Sequence, residues 1–125
     1  MTQQREIYQC DRCGNIIEVI GEAKGTLSCC DQPMTRTTPK DHASEGKEKH
    51  VPVMSSDKEQ TTTIRVGSKN HPMEEDHYIA WIEVLTTNQV LRQELQPGDE
   101  PKATFACTQE EVTHVRAYCT KHGLW

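Results

Sequence analysis

The chain has no apolar run approaching the eighteen or so residues that cross a bilayer. Its first residues, Met1-Thr2-Gln3-Gln4-Arg5-Glu6, are polar and lack the apolar stretch of an export signal. The expectation is a soluble cytoplasmic protein without a membrane partner. Apolar residues are scarce as well, 34% of the 125, against about 45–50% counted with glycine for an ordinary globular domain. That length fits one domain or two small ones. Below roughly 70–80 residues a core rarely suffices alone, so any small subdomain would need other support to fold. There is no basic surplus either: the formal charge is -5, which argues against nucleic acid as a main partner, because phosphate binding needs a concentrated basic surface.

What the chain does have is six cysteines in an uneven distribution. Four fall in the first quarter, as Cys10-x-x-Cys13 and the adjacent pair Cys29-Cys30. A fifth is spaced Cys119-x-x-His122, and Cys107 is left over. A secreted disulfide scaffold spreads its cysteines through a loop-rich chain, so this clustering points to metal in a reducing compartment. A C-x-x-C turn sets two thiolates on one side of a tight knuckle, and a second pair after fifteen intervening residues can complete a tetrahedron around one ion. Zinc and iron both accept four thiolates, and spacing does not choose between them. The adjacent pair differs from the repeated C-x-x-C of zinc ribbons. Neighbouring side chains point apart, so Cys29 and Cys30 reach one ion only with a strained backbone and a distorted tetrahedron.

Patterning divides the chain into residues 1–37, a compact turn-rich metal-binding unit with short strands, a linker over 38–47, and residues 48–125. The linker is polar, with Pro39, Gly46 and no apolar residue larger than Ala43. Beyond it the pattern is all β: residues 62–66 alternate with β-branched side chains, 78–85 (YIAWIEVL) form a strand long enough to be central, and 90–95, 102–107 and 113–119 follow between turns. Residues 109–112 fit one helical turn. The class is mainly β, a small metal domain followed by an immunoglobulin-like β-sandwich. Cys107 is expected as a buried inert thiol in its strand, and Tyr78 and Trp81 as core.

YQCDRCGNIIEV (8–19) and LSCCDQPM (27–34) resemble desulforedoxin and the N-terminal domain of desulfoferrodoxin. That resemblance implies an Fe(Cys)4 centre on Cys10, Cys13, Cys29 and Cys30, with an electron-transfer or structural role, because four protein ligands leave no open position. Five of the six histidines lie beyond the linker. EKHVPV (48–53), NHPMEEDHYIAWIE (70–83) and YCTKHGLW (118–125) resemble the catalytic domain of superoxide reductases, the desulfoferrodoxin and neelaredoxin family. The whole chain is therefore similar to two-iron desulfoferrodoxins. The resemblance implies four equatorial nitrogens from His50, His71, His77 and His122, an axial sulfur from Cys119, and a sixth position open to substrate. It also implies a mobile pair, Glu48 and Lys49, in which the carboxylate can bind ferric iron once product leaves and the lysine attracts the anion. Two irons per chain, a rubredoxin-like electron donor and a homodimer come with the same family. His42, in the linker, and His114, on the strand face opposite Cys119, receive no ligand role; Lys121 is a further positive charge beside the site.

The implied activity is one-electron reduction of superoxide to hydrogen peroxide. Two other functions fit the residues: a zinc-bound interaction module, which would be colourless, and an iron electron carrier whose second centre is a closed relay.

Overall fold

The computed structural model describes residues 1–40, 47–58 and 60–125, without the side chains of residues 47, 48, 57 and 58. His42 and most of the expected linker lie outside the described residues. The chain separates into two compact units, Met1–Thr38 and Pro39–Trp125.

The first unit is built from five very short strands: β1 (Ile7–Gln9), β2 (Ile16–Glu18), β3 (Ser28–Cys29), β4 (Gln32–Pro33) and β5 (Thr35–Thr37). β1 lies between β2 and β5, antiparallel to both, while β3 and β4 form a separate hairpin. Its buried apolar residues are few, Ile7, Val19 and the thiol of Cys10. Polar contacts carry much of the rest: Thr2 and Ala23 exchange backbone and hydroxyl hydrogen bonds, and Glu6 gathers Gln3, Tyr8 and Arg36.

The second unit begins with one helical turn, α1 (Lys47–His50), and continues as β6 (Pro52–Lys58), β7 (Thr61–Val66), β8 (Ile79–Leu85), β9 (Val90–Glu94), β10 (Lys102–Phe105), a 3-10 turn at Gln109–Glu111, β11 (His114–Cys119) and β12 (Gly123–Leu124). The 3-10 turn is held by a capping box between Thr108 and Glu111. The strands form two antiparallel sheets, β10-β7-β6 and β12-β11-β8-β9, which make a β-sandwich. Alternation explains the core between them: Ile64 and Val66 of β7 and Ala103 and Phe105 of β10 meet Ile79, Ile82 and Val84 of β8 and Ala117 and Cys119 of β11. β10 ends at Phe105, two residues sooner than expected, so Cys107 follows the strand; it is nevertheless buried in this core.

The other face of the four-stranded sheet holds a feature unforeseen in the sequence. Glu83 is paired in register with Arg116 on one side and Arg92 on the other. It is 1% exposed, with carboxylate contacts of 2.7 Å and 2.9 Å to Arg116 and 3.2 Å to Arg92. Trp81 lies on this face too, stacked on Tyr118 with ring centroids 5.8 Å apart, and both rings are only half-buried. Trp81 therefore covers the outer face of the sheet, whereas a position in the core was expected.

Candidate metal centres

In the first unit, a knuckle and a hairpin turn present the cysteines. The knuckle closes when the Gly14 N–H donates to the Cys10 carbonyl at 3.0 Å, with Gly14 at φ +83°, a conformation that glycine adopts without strain. The Cys13 N–H points at the Cys10 sulfur, 3.4 Å away. Opposite, Cys29 pairs with Gln32 and leaves a two-residue loop, Cys30-Asp31, with φ of 53° and 60°. Two successive positive φ values characterise the type I′ turn, which glycine and asparagine usually occupy. This is the backbone strain expected of an adjacent pair: Cys30 takes a left-handed conformation, and both sulfurs face the knuckle. The Cys13 and Cys29 sulfurs are 3.5 Å apart, those of Cys29 and Cys30 3.9 Å, and all four fall within 4.8 Å of one another.

Such crowding separates the thiol acidities. Backbone N–H groups of Cys13 and Arg12 bring Cys10 down to about 6, and hydrogen bonding with Cys13 and Cys10 pushes Cys30 up to about 12. Cys29 is raised for the same reason. Four sulfurs this close are not all anionic on their own, and a cation that neutralises them is what the donor set fits. Cys10 is buried, while Cys13 and Cys30 are exposed.

In the second unit the donors come from the ends of elements across the sandwich. His50 closes α1, His71 follows β7, His77 precedes β8, Cys119 ends β11, and His122 lies in the turn before β12. The four imidazoles form a four-sided ring. Successive centroids, His50 to His71 to His77 to His122 and back, are separated by 4.6 to 4.9 Å, at interplanar angles of 73° to 87°. His50 and His77 face each other across it at 6.4 Å. His50 Nε2 and His122 Nδ1 are 3.0 Å apart, which matches two nitrogens bound at right angles, each about 2.1 Å from an ion. Cys119 is fully buried, its sulfur 3.7 Å from His122 Nδ1, and it accepts the His122 N–H at 3.4 Å.

The protonation states suit metal binding. His71 Nδ1–H donates to the Pro72 carbonyl at 2.7 Å, which leaves its Nε2 lone pair free. Burial pushes His71 down to about 4 and lowers His77 as well. His71 Nε2 and His77 Nε2 are buried without a hydrogen-bond partner among the described residues. Two orphaned nitrogens beside a buried thiol are costly unless an ion satisfies them. All five donor atoms lie within 4.8 Å of one another, so the residues fit a transition metal with imidazole and thiolate ligands.

Around this set, Lys49 and Lys121 are exposed, as is His122 itself. The Glu48 side chain lies outside the described residues. Cys107 and His114 join neither donor set: the Cys107 carbonyl accepts the Thr62 hydroxyl, and His114 is exposed on its strand. Sequence reasoning missed Trp125. Its backbone pairs both ways with Ala117, and its indole stacks on His50 with centroids 4.5 Å apart and planes 19° from parallel. An aromatic residue three positions after His122, next to a buried Leu124, was the available signal.

Two β units, one presenting four thiols and the other four imidazoles with a thiol, carry two distinct donor groups that fit transition metals. The family model for the desulfoferrodoxin N-terminal domain matches residues 2–37, and that for desulfoferrodoxin matches residues 42–125. The chain belongs to the desulfoferrodoxin family. A desulfoferrodoxin homolog of Archaeoglobus fulgidus is 50% identical over 125 residues, covering 100% of this chain and 98% of the relative. A superoxide reductase of Pyrococcus abyssi is 32% identical over 95 residues, 62% of this chain and 83% of that protein. The crystal structure of the superoxide reductase from Treponema pallidum superposes with a TM-score of 0.74 at 26% identity, covering 100% of this chain and 98% of that one. With these relatives the chain is an oxidoreductase.

Proposed function

We propose that the chain is a cytoplasmic superoxide reductase that converts superoxide, one electron and two protons into hydrogen peroxide. The observation that carries this reading is the ring of four imidazoles with the buried Cys119 thiol beside it, two of its nitrogens buried without a hydrogen-bond partner among the described residues. His50, His71, His77, His122 and Cys119 would hold one iron, and Cys10, Cys13, Cys29 and Cys30 the other. Iron held by the five-residue set would supply the electron, replenished by a rubredoxin-like donor. Five protein ligands would leave room for a small anion, whereas four thiolates would saturate the other ion.

The residues of the chain supply the rest. Neutral imidazoles add no charge, so the only anionic ligand is the Cys119 sulfur, softened by the His122 N–H. Lys49 attracts superoxide to an otherwise acidic protein, and its Nζ, with solvent, relays a proton to the reduced substrate. Lys121 adds charge at the same mouth. By its resemblance to the family, Glu48 would be the carboxylate that binds the iron once product has left. The family further suggests a homodimer.

Metal analysis with the visible spectrum tests the reading. Two irons per chain with ferric–thiolate bands from both sites are expected, and zinc at both would sink it. Cys119→Ser should remove the thiolate band of the five-residue site and spare that of the four-cysteine site. If ferrous protein neither consumed superoxide nor bound azide or cyanide at iron, the second centre would be a closed relay.

A further inference from the structure

We propose that Lys40, from the stretch expected to be linker, is a positioning residue for the histidine–cysteine centre. An exposed lysine in a polar stretch ordinarily extends into solvent. This one is fastened three ways. Its backbone N–H donates to the Leu124 carbonyl at 3.1 Å, its ammonium donates to the His122 carbonyl at 2.7 Å, and the same ammonium lies 5.3 Å from the centre of the Trp125 ring. The first contact ties the chain to β12; the other two bear on metal donors.

His122 is reached directly. Its carbonyl belongs to the turn that runs from Cys119, the turn whose N–H also points at the Cys119 sulfur. A charge-assisted hydrogen bond to that carbonyl restrains the one histidine of the set that is exposed to solvent. His50 is reached through Trp125. The indole is 3% exposed, and its Nε1–H is buried without a hydrogen-bond partner among the described residues. Among the described residues no hydrogen bond sets the ring plane, so beyond the packing that buries it the ring is oriented by stacking on His50 and by the Lys40 cation. His50 Nε2 and His122 Nδ1 are the two nitrogens at 3.0 Å, so Lys40 acts on both members of the closest donor pair. Groups that orient metal ligands from outside commonly alter affinity by ten- to a hundredfold when removed, of order 10 to 100.

This assignment rests on the five-residue set being a metal site, and cobalt(II) separates the two questions. Its absorption distinguishes a four-thiolate environment from an imidazole-rich one with a single thiolate. The full chain is loaded with cobalt and mixed with excess chelator, and release is followed at each site. Lys40→Met should speed release from the five-residue set roughly tenfold, leave the four-cysteine set unchanged, and leave the thermal midpoint of the apoprotein unchanged. Lys40→Arg, which keeps charge, donors and a plane that stacks on indole, should restore most of the retention. In the iron-loaded protein Lys40→Met should also lower the midpoint potential of that centre, because a nearby positive charge favours the ferrous state.

Equal release from unsubstituted and Lys40→Met protein overturns the assignment, as does acceleration at both sites together, or failure of Lys40→Arg to restore. Absence of cobalt from the five-residue set of the unsubstituted chain overturns the metal reading itself and the Lys40 assignment with it.

Discussion

The two donor sets are assembled in opposite ways. In the first unit the close sulfurs of Cys13 and Cys29 are 16 residues apart in sequence and sit on a knuckle and a tight turn with little core behind them. In the second, the close nitrogens of His50 and His122 are 72 residues apart and sit on a helical turn and a strand-connecting turn beside strands whose inner faces make a continuous apolar core. One set is local, with few buried apolar residues behind it, and is expected to depend on its ion for shape. The other is carried by a sandwich with its own apolar core, which is expected to pack without an ion. The difference would also suit the proposed chemistry: a four-thiolate set with Cys13 and Cys30 exposed fits electron passage, and a site that is to take substrate needs a scaffold that does not rely on filling its last coordination position.

Metal removal should separate the units most sharply. Binding free energy of a structural ion in a small domain is on the order of 10 kcal/mol and is folding free energy. Chelation under reducing conditions should therefore abolish slow amide exchange in residues 7–37 while β7, β8 and β11 keep theirs. Equal protection in both units of the apoprotein would erase the contrast.

The converse perturbation strikes the sandwich. Glu83→Ala removes the carboxylate between Arg116 and Arg92 and leaves a guanidinium that is 7% exposed without it. Breaking a buried pair from one side costs about 3–5 kcal/mol. Chemical denaturation should show that loss in the second unit, with the four-cysteine spectrum unaltered; a change below 1 kcal/mol, roughly the value of an exposed pair, would mean that the cluster behaves as a surface one.

A smaller effect is expected at the mouth of the second site. Lys49→Ala should slow superoxide capture on the order of tenfold, about 1.4 kcal/mol, and flatten its dependence on ionic strength. An unchanged rate with unchanged salt dependence would remove Lys49 from steering. The four-cysteine spectrum should be indifferent to this substitution.

Legibility in the sequence follows the same division. Contiguous signals such as C-x-x-C, the adjacent pair and C-x-x-H were visible because the chemistry lies within a few residues, and β-branched alternation located β7, β8 and β11 to within a residue or so. Contacts between distant segments were not visible. Glu83 interrupts an apolar strand, and its partner Arg116 is 33 residues away; Lys40 meets His122 across 82 residues. Neither pairing has a local pattern, since an isolated charge or lysine looks the same whether solvated or clamped. Cys107 left its strand because β10 stops at Phe105, a boundary that apolar alternation does not mark.

The smallest predicted effect returns to the first unit, where polar contacts supplement a thin core. Glu6 accepts the Gln3 N–H at 2.7 Å, the Tyr8 hydroxyl at 3.1 Å and Arg36 at 2.9 Å. The Gln3 N–H chiefly, with Tyr8 and Arg36, holds its carboxyl below the ordinary value of 4.5, against an opposing desolvation. A depressed folded-state value stabilises the fold above the unfolded-state value and loses that contribution as pH falls through the folded one. Glu6→Gln should therefore weaken the metal-loaded first unit slightly at neutral pH, and the gap between the two proteins should close below pH 4.5. Acid also releases thiolate-bound metal, but it does so in both proteins, so the difference isolates Glu6. A gap that persisted or widened on acidification would show that the substitution acts through packing and not through the carboxylate charge.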